Sequence, residues 1–407
     1  MAEAVIVAAT RTPIGRARKG SLAGMRPDDL TATVVRAALA QVPQLDPAQL
    51  DDLYVGCAEP SGEQGMNLAR VVAVLLGHDG LPGATINRFC ASSVQTTRMA
   101  LHAIRAGEGS AFVSAGVECV SRYRTWSGAG QGEGDVRNPA FADAAARTES
   151  YVETNAAWAD PRAAGELPDV YVAMGQTAEN VATAYGVTRR EQDEYAVLSQ
   201  NRAEKAIANG VFDREITPVT TPGGTVVTRD DGPRPGVTLE AVSSLPPVFR
   251  PEGTVTAGNC CPRNDGAAAV VVMSEDRAHE LDIQPLARIV STAVSALSPE
   301  IMGMGPVEAS RRALALAGMN IDDVDLVEMN EAFAAQVVPS YRALGIDVDA
   351  LNVSGGAIAL GHPFGCTGAR ITTTLLNNLR TYDRQVGLAT LCVGGGQGMA
   401  MVVERLS

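Results

Sequence analysis

The feature that most constrains this chain is that its two ends repeat one another. "PDDLTATVVRAALAQVPQLDPAQLDDLYVG" runs from Pro27 to Gly56, and "PVEASRRALALAGMNIDDVDLVEMN" from Pro306 to Asn330. Each opens with Pro and an acid, the chemistry of a helix first turn. Each continues as an Ala-rich amphipathic helix, turns through Asp, and enters a short strand that ends near a polar residue. The next segments also match. "TINRFCASSVQTTRMALHAIRAGEGSAFVSAGVE" and "LNVSGGAIALGHPFGCTGARITTTLLNNLRTYDRQVGLATLCVGGG" both read as strand, helix, strand, the second with a longer Gly-rich insert. Because order and approximate spacing both hold, duplication is preferred to generic α/β periodicity. Two similar α/β halves set back to back place their strand-end loops near one shared site.

With 407 residues the chain exceeds what one hydrophobic core usually serves. Between the repeated ends lies an insert over roughly 121–250. The insert has its own composition, rich in Gly, Pro, Ala and charge, with one clear helix expected from about Thr188 to Asn209. Its string "GAGQGEG" has no strand leading in and no helix leading out. It therefore reads as a loop and not as a dinucleotide fingerprint. A long insert of this kind usually serves as a lid or an oligomer contact.

The formal charge of −13, from 33 basic and 46 acidic residues, disfavours nucleic acid as a partner. An anionic ligand must then be held by local donors. Seven cysteines at scattered positions make no disulfide framework and no zinc spacing, which suits reduced thiols and a cytoplasmic setting. The opening residues lack a basic n-region, and no run approaches a membrane helix, so neither export nor membrane insertion is expected.

Cys90 lies in "NRFCASSVQ", between a strand-like run, Ala84 to Ile86, and a helical face of Val94, Leu101 and Ile104 that Gly107 stops. A helix N-terminus would lower a thiol pKa there and favour a nucleophile; a small buried packing Cys would be equally at home. His362, in "GGAIALGHPFGCTG", sits on a glycine-dense loop before a helix that begins near Thr367. It is one of four histidines and is either structural or catalytic. Cys392, in "LCVGGGQG", ends a buried strand and is either a packed thiol under a turn or a second reactive one, with the Gly394 N–H free for an oxyanion. Asn330, in "LVEMNEAFAAQ", is either a helix cap or a site residue. The vicinal pair Cys260–Cys261 is read as neither redox-active nor metal-binding, since adjacent cysteines rarely meet disulfide geometry without strain. Taken together, two thiols, a histidine and glycine amides suit acyl transfer: a nucleophile, a base and oxyanion donors. The second thiol can move a proton on and off carbon, which a hydrolase does not need.

"VIVAATRTPIG", "NRFCASSVQ", "TAGNCCPRNDGAAA", "MGPVEASRRAL", "NEAFAAQ", "GGAIALGHPFGCTGAR" and "CVGGGQG" resemble, in order and across essentially the whole chain, the signature blocks of the thiolases, the acetyl-CoA acetyltransferase and 3-ketoacyl-CoA thiolase family. The resemblance implies an α/β, duplicated, five-layer α-β-α-β-α fold, with a first half over 1–120 and 251–284, a loop domain inserted in it over 121–250, and a second half over 285–407. It implies Cys90 as acyl-accepting nucleophile, His362 as its activator and Cys392 as the acid/base thiol. It implies Asn330 as the residue that orients a water in an oxyanion hole shared with His362, and the N–H groups of Cys90 and Gly394 as the second hole. Met174 and Met302 match acyl-pocket residues; Ala257, Cys261, Ala332 and Phe333 match pocket or pantetheine contacts. The implied reaction is ping-pong condensation of two acetyl-CoA, or thiolysis of a 3-ketoacyl-CoA, with acyl-CoA and coenzyme A as substrate and product, no tightly bound cofactor, no metal, and a homodimeric or homotetrameric enzyme of fatty acid metabolism. Acetyl-CoA C-acetyltransferase is the activity favoured, with a longer-chain degradative thiolase as the alternative.

Three departures stand out. Cys260, Cys261 and Pro262 replace the usual Ala-Ser-Gly, so Cys261 stands where a Ser contacts the pantetheine arm. Ala173 replaces a His common in short-chain members and would admit a larger acyl group. "LPP", Leu245 to Pro247, replaces a segment with a basic CoA contact, for which Arg229, Arg234 or Arg250 could substitute. A ketoacyl synthase-like condensing enzyme is the rival within the same ancestral fold, but Cys392 argues against it. A catalytically weak CoA-ester binder is the rival outside enzymes, and the intact set Cys90, His362, Asn330 and Cys392 argues against that.

Overall fold

A computed structural model describes residues 2–123 and 137–407. The first half supplies strands β1 (Ala4–Arg11), β2 (Asp52–Gly56), β3 (Gly83–Ile86), β4 (Ala111–Cys119) and β5 (Asn264–Ser274). The second half supplies β6 (Ala287–Ala296), β7 (Leu326–Met329), β8 (Val386–Val393) and β9 (Gln397–Arg405). Their order is β7-β8-β9-β6-β1-β5-β4-β2-β3. Among the described residues, strands of the two halves pair only at Val5↔Arg288 and Ile6↔Ala287, whereas β9 and β6 pair over their whole length. The arrangement is therefore two sheets meeting at a narrow seam.

The helices explain why the sheets part. Helix α1 (Pro27–Ala40) and helix α2 (Leu68–Leu75) cover one outer face. Helix α3 (Ser92–Ala106) and the later helix at Thr367–Thr381 lie between the sheets. Strand alternation sorts the side chains: Val271 and Met273 of β5 face α1, while Val270 and Val272 face the central helices. The other outer face is covered by the helices Gly305–Ala317 and Ala334–Leu344. The result is the expected α-β-α-β-α stack. No helix of the described residues is long and apolar enough to cross a membrane.

Between β4 and β5 the chain leaves the sheets. It holds more helix than its composition suggested: Ala142–Thr154, α4 (Met174–Ala184), α5 (Arg189–Ala208) and the short Leu239–Ser243. Only α5 was legible, because Thr188 and Glu191 form a capping box at its start. The string "GAGQGEG" lies outside the described residues. The insert also holds a small hairpin in which Val219 pairs with Val227 and Thr220 with Val226. In the second half α6 (Gly305–Ala317) precedes β7, α7 (Ala334–Leu344) follows it, and α8 (Thr367–Thr381) precedes β8.

The duplication is visible at the level of turns. A 3-10 turn, Phe89–Ala91, leads into α3, and another, Phe364–Cys366, leads into α8. The two helices cross closely. Ser93 Oγ accepts the Ala369 N–H at 2.8 Å, and a methyl on Gly368 would fall 2.5 Å from the Val94 nitrogen. The loops that open these helices are thereby brought side by side.

Candidate active site

Cys90 occupies the turn before α3, on a backbone fixed by its neighbours. Asn87 Oδ1 accepts the Phe89 N–H at 2.8 Å, and Ser92 Oγ accepts the Arg88 N–H at 2.9 Å while donating to the Phe89 carbonyl at 2.6 Å. Phe89 itself holds φ +43°, a conformation bulky residues rarely adopt. Cys90 is left half-buried, with the N–H groups of Gly394 and of Cys90 directed at its sulfur. These donors do not give the depressed thiol pKa that a helix N-terminus suggested. Burial outweighs them and pushes Cys90 up to about 12, because desolvating a thiolate costs more than two amides return.

His362 follows Gly361, whose φ of +114° only glycine takes readily. Asn264 Oδ1 accepts the His362 backbone N–H at 2.9 Å, and the Phe364 ring meets the imidazole edge-on at 5.0 Å. Nδ1 lies 2.6 Å from Thr367 Oγ1 and Nε2 lies 3.3 Å from Asn330 Nδ2. Burial, with the Arg370 charge adding to it, pushes the imidazole pKa down to about 3. It is a neutral base.

Asn330 stands one residue past β7, with its N–H on the Thr390 carbonyl at 2.9 Å. It is not a helix cap; Phe333 holds that position ahead of α7. Asn330 is buried, and its Oδ1 has no partner among the described residues. The adjacent Glu331 carboxylate ties the insert to the site: it accepts Tyr195 Oη at 2.9 Å and Ser199 Oγ at 2.7 Å from α5, and the Ile358 N–H at 3.0 Å.

Cys392 ends β8 opposite Gly398 and is fully buried. Burial first, and then the neighbouring Cys90, push its thiol pKa upward. Gly394 lies in the turn beyond it, where a methyl would meet the Phe89 ring at 3.3 Å. Cys90, Cys392 and the Gly394 amide thus lie together, and His362 lies against Asn330, on strand-end loops from both halves.

Most of the remaining expected residues gather beside them. Met302, Ala332, Phe333 and Cys392 share one apolar cluster, with Met174, Phe249 and Cys260 at its margin. Phe249 packs edge-on against Phe333 at 6.1 Å. The Cys261 N–H bonds the Ala332 carbonyl at 3.1 Å, and its thiol is raised by burial and by Cys260, Cys90 and Cys392. Ala257 stands exposed outside the cluster. Arg250 is not a free cation for a ligand: it is buried, with Nε on Gln176 Oε1 and Nη2 on Asn180 Oδ1. Arg229 and Arg234 are exposed.

Sequence reading missed three supports. Glu118, an acid in the otherwise apolar strand "AFVSAGVEC", accepts the Gly365 N–H at 2.8 Å, the Ala58 N–H at 2.9 Å and Tyr123 Oη at 2.7 Å. A lone carboxylate in a buried strand is the signal that could have found it. Thr367 was seen only as a helix start. Arg370 is a buried cation one turn further along α8.

The geometry agrees with what the chain resembles. A family model for the N-terminal domain of thiolase matches residues 4–276, and one for the C-terminal domain matches 283–405. The chain is 42% identical over 417 aligned residues to a 3-ketoacyl-CoA thiolase of Bacillus subtilis, covering 99% of this chain and 100% of that protein. It is 43% identical to a 3-ketoacyl-CoA thiolase of Escherichia coli, covering all of both chains. Among solved structures, a Bacillus anthracis acetyl-CoA acetyltransferase superposes with a TM-score of 0.86 at 37% identity, covering 100% of this chain and 99% of that one. A human mitochondrial 3-ketoacyl-CoA thiolase in complex with CoA superposes with a TM-score of 0.85 at 36% identity, covering 100% and 98%.

Proposed function

The chain belongs to the thiolase family, and from that premise we propose that it cleaves 3-ketoacyl-CoA longer than acetoacetyl-CoA, with free CoA as the acceptor. The thiolase chemistry itself, acyl transfer with CoA as substrate, comes with the family. Two proximities at strand-end loops carry the reading of the site: Cys90 beside the Gly394 amide and Cys392, and His362 against Asn330. Chain length is read from Ala173, a small side chain directly ahead of α4 where short-chain members commonly carry His, and from full-length likeness to proteins named 3-ketoacyl-CoA thiolase. A second reading, acetyl-CoA acetyltransferase, is favoured by the likeness to the Bacillus anthracis enzyme of that name.

The proposed thiolysis runs in two halves through an acyl group on the Cys90 sulfur, with Cys392 handling the proton on carbon. Cys90 gives its proton to His362 and attacks the 3-keto carbon. The C2–C3 bond breaks, and its electron pair becomes the acetyl-CoA enolate. Cys392 protonates that enolate at C2, and acetyl-CoA leaves. Free CoA then gives its thiol proton to the Cys392 thiolate and attacks the acyl-Cys90 thioester; Cys90 leaves as thiolate, takes back the proton held by His362, and the shortened acyl-CoA is released. The Gly394 and Cys90 amides face the oxygen at the acyl-Cys90 carbon. His362 and Asn330 face the enolate oxygen, where donors fixed in advance are worth most.

We also read the chain as a homodimer. Strand β3 is a sheet edge, and α2 packs on it. Beside it Met66, Val71, Val74, Leu75 and Phe89 are exposed. An apolar patch next to an unpaired edge suits pairing with a second copy. Light scattering that returned one chain mass would remove this reading. Twice that mass supports it, and four times would indicate a dimer of dimers. Seven free thiols support a reducing compartment such as the cytoplasm.

The deciding experiment is thiolysis of acetoacetyl-CoA and of a longer 3-ketoacyl-CoA by the purified protein, with Cys90→Ala alongside. Cleavage of the longer substrate supports the first reading, and cleavage of acetoacetyl-CoA alone supports the second. Cleavage of neither overturns both.

A further inference from the structure

We propose that Thr367 is a positioning residue that fixes the tautomer of His362, with the ring proton on Nδ1 and the lone pair on Nε2. The inference deepens the reading of His362 as the base of the site and rests on it.

The case is a count of protons. Thr367 Oγ1 lies 2.9 Å from the Pro363 carbonyl oxygen and 2.6 Å from His362 Nδ1. Each of these contacts needs one proton between its heavy atoms, since two lone pairs at such distances repel. The carbonyl has no proton to give. The hydroxyl has one, and the contact to Pro363 uses it. The proton between Thr367 and His362 therefore belongs to Nδ1. A neutral imidazole carries only one, so Nε2 is left as an acceptor.

The other side of the ring closes the same count. Asn330 Nδ2 lies 3.3 Å from Nε2 and can donate to it, which leaves Asn330 Oδ1 without a partner among the described residues. His362, Thr367 and Asn330 are all buried, so bulk water does not blur the choice. The backbone supports it as well. Thr367 opens α8 directly after the Phe364–Cys366 turn, and Asn264 holds the His362 N–H. Both ends of the Nδ1 contact are thus anchored to different elements.

An opposite arrangement is chemically available. With the Asn330 amide rotated, Nε2–H would donate to Oδ1 and Nδ1 would become the acceptor. In that form Nε2 carries a proton already and cannot receive the one from Cys90. Thr367 is the group that separates the two forms, because only the hydroxyl already committed to Pro363 compels Nδ1 to donate.

The test reads the tautomer directly. With 15N-labelled histidine, four side chains give imidazole signals, and His362 is assigned by its loss in His362→Gln. Wild type and Thr367→Ser are expected to show a protonated Nδ1 and a pyridine-like Nε2 for His362. Thr367→Val keeps the β-branched shape and removes the hydroxyl; it is expected to shift His362 toward Nε2–H and to lower kcat by about 10²–10⁴-fold. That magnitude follows from what a wrong-tautomer histidine costs where it is the general base. Thr367→Ser should stay within about threefold of wild type. A wild-type His362 with its proton on Nε2 would overturn the proposal, whether or not the variants fold. So would Thr367→Val with unchanged tautomer and rate. Thiolysis by wild type is scored separately: an inactive protein with Nδ1–H would sink the enzymatic reading and leave the tautomer assignment standing.

Discussion

Glu118 and Gly365 meet at 2.8 Å, a carboxylate from the first half holding a backbone N–H of the second, three residues beyond His362. The same carboxylate holds the Ala58 N–H, Gln64 Nε2 and Tyr123 Oη. Removing it leaves several buried donors facing nothing, each costing about 1–3 kcal/mol when unsatisfied. Glu118→Ala is expected to lose about 3–5 kcal/mol of stability, measured as a lower urea midpoint at unchanged slope. Glu118→Gln keeps one acceptor and should lose less. A loss below about 1 kcal/mol in the alanine variant would mean that Glu118 does not hold the seam.

The two shifted titrations predict how the resting site behaves with pH. Cys90 is pushed up to about 12 and His362 down to about 3, so at neutral pH the site holds a thiol and an imidazole, not an ion pair. Alkylation of Cys90 by iodoacetamide should speed up about tenfold per pH unit from 6 to 9. A rate that levels off within that range would indicate a preformed thiolate.

His362 also links stability to pH. Unfolded, it takes up a proton below about 6.5; folded, it does so only near 3. In that window the unfolded chain binds more protons, so stability falls as pH falls. The acid slope should flatten in His362→Gln, by denaturant titrations from pH 7 to 4.

Asn330 carries the donor nearest the imidazole, at 3.3 Å. If it helps to stabilise an enolate oxygen, Asn330→Ala should lower kcat on the order of 10²–10³-fold. Transfer of an acyl group from acyl-CoA to Cys90 should survive, since Gly394 serves that step. Equal loss of both steps, by burst-phase labelling and steady-state rate, would place Asn330 in general support of the fold instead.

Much of this site was legible because its groups lie at strand ends, where pattern changes sharply. Cys90 was marked by the strand before it and the helix after it, and His362 by glycines that let a backbone turn. The pKa of Cys90 was not legible, because the helix terminus is a local feature and burial is not. Asn330 could not be told from a helix cap until Phe333 was seen to hold that place. The other helices of the insert were missed for a related reason: α4 packs against the 3-10 turn Pro299–Met304, where the Glu300 carbonyl accepts Asn180 Nδ2 at 2.9 Å. Tertiary contacts of that kind leave no trace in local propensity.

The crossing of α3 and α8 sets the last prediction. At Gly368 an added methyl would stand 2.5 Å from the Val94 nitrogen and 2.9 Å from Ser93 Oγ. In an exposed helix, Gly→Ala gains about 1 kcal/mol of propensity. Here the obstacle is backbone, which cannot rotate away, and overpacking of this kind costs about 1–3 kcal/mol or more. The clash should win, so Gly368→Ala is expected to be less stable than wild type despite the better helix former. Because Cys90 lies in the turn before α3 and His362 shortly before α8, parting the helices should also lower kcat by more than KM changes. Thermal melts and steady-state kinetics on the one variant check both. A more stable and fully active Gly368→Ala would show that the close crossing is not what sets the two loops side by side.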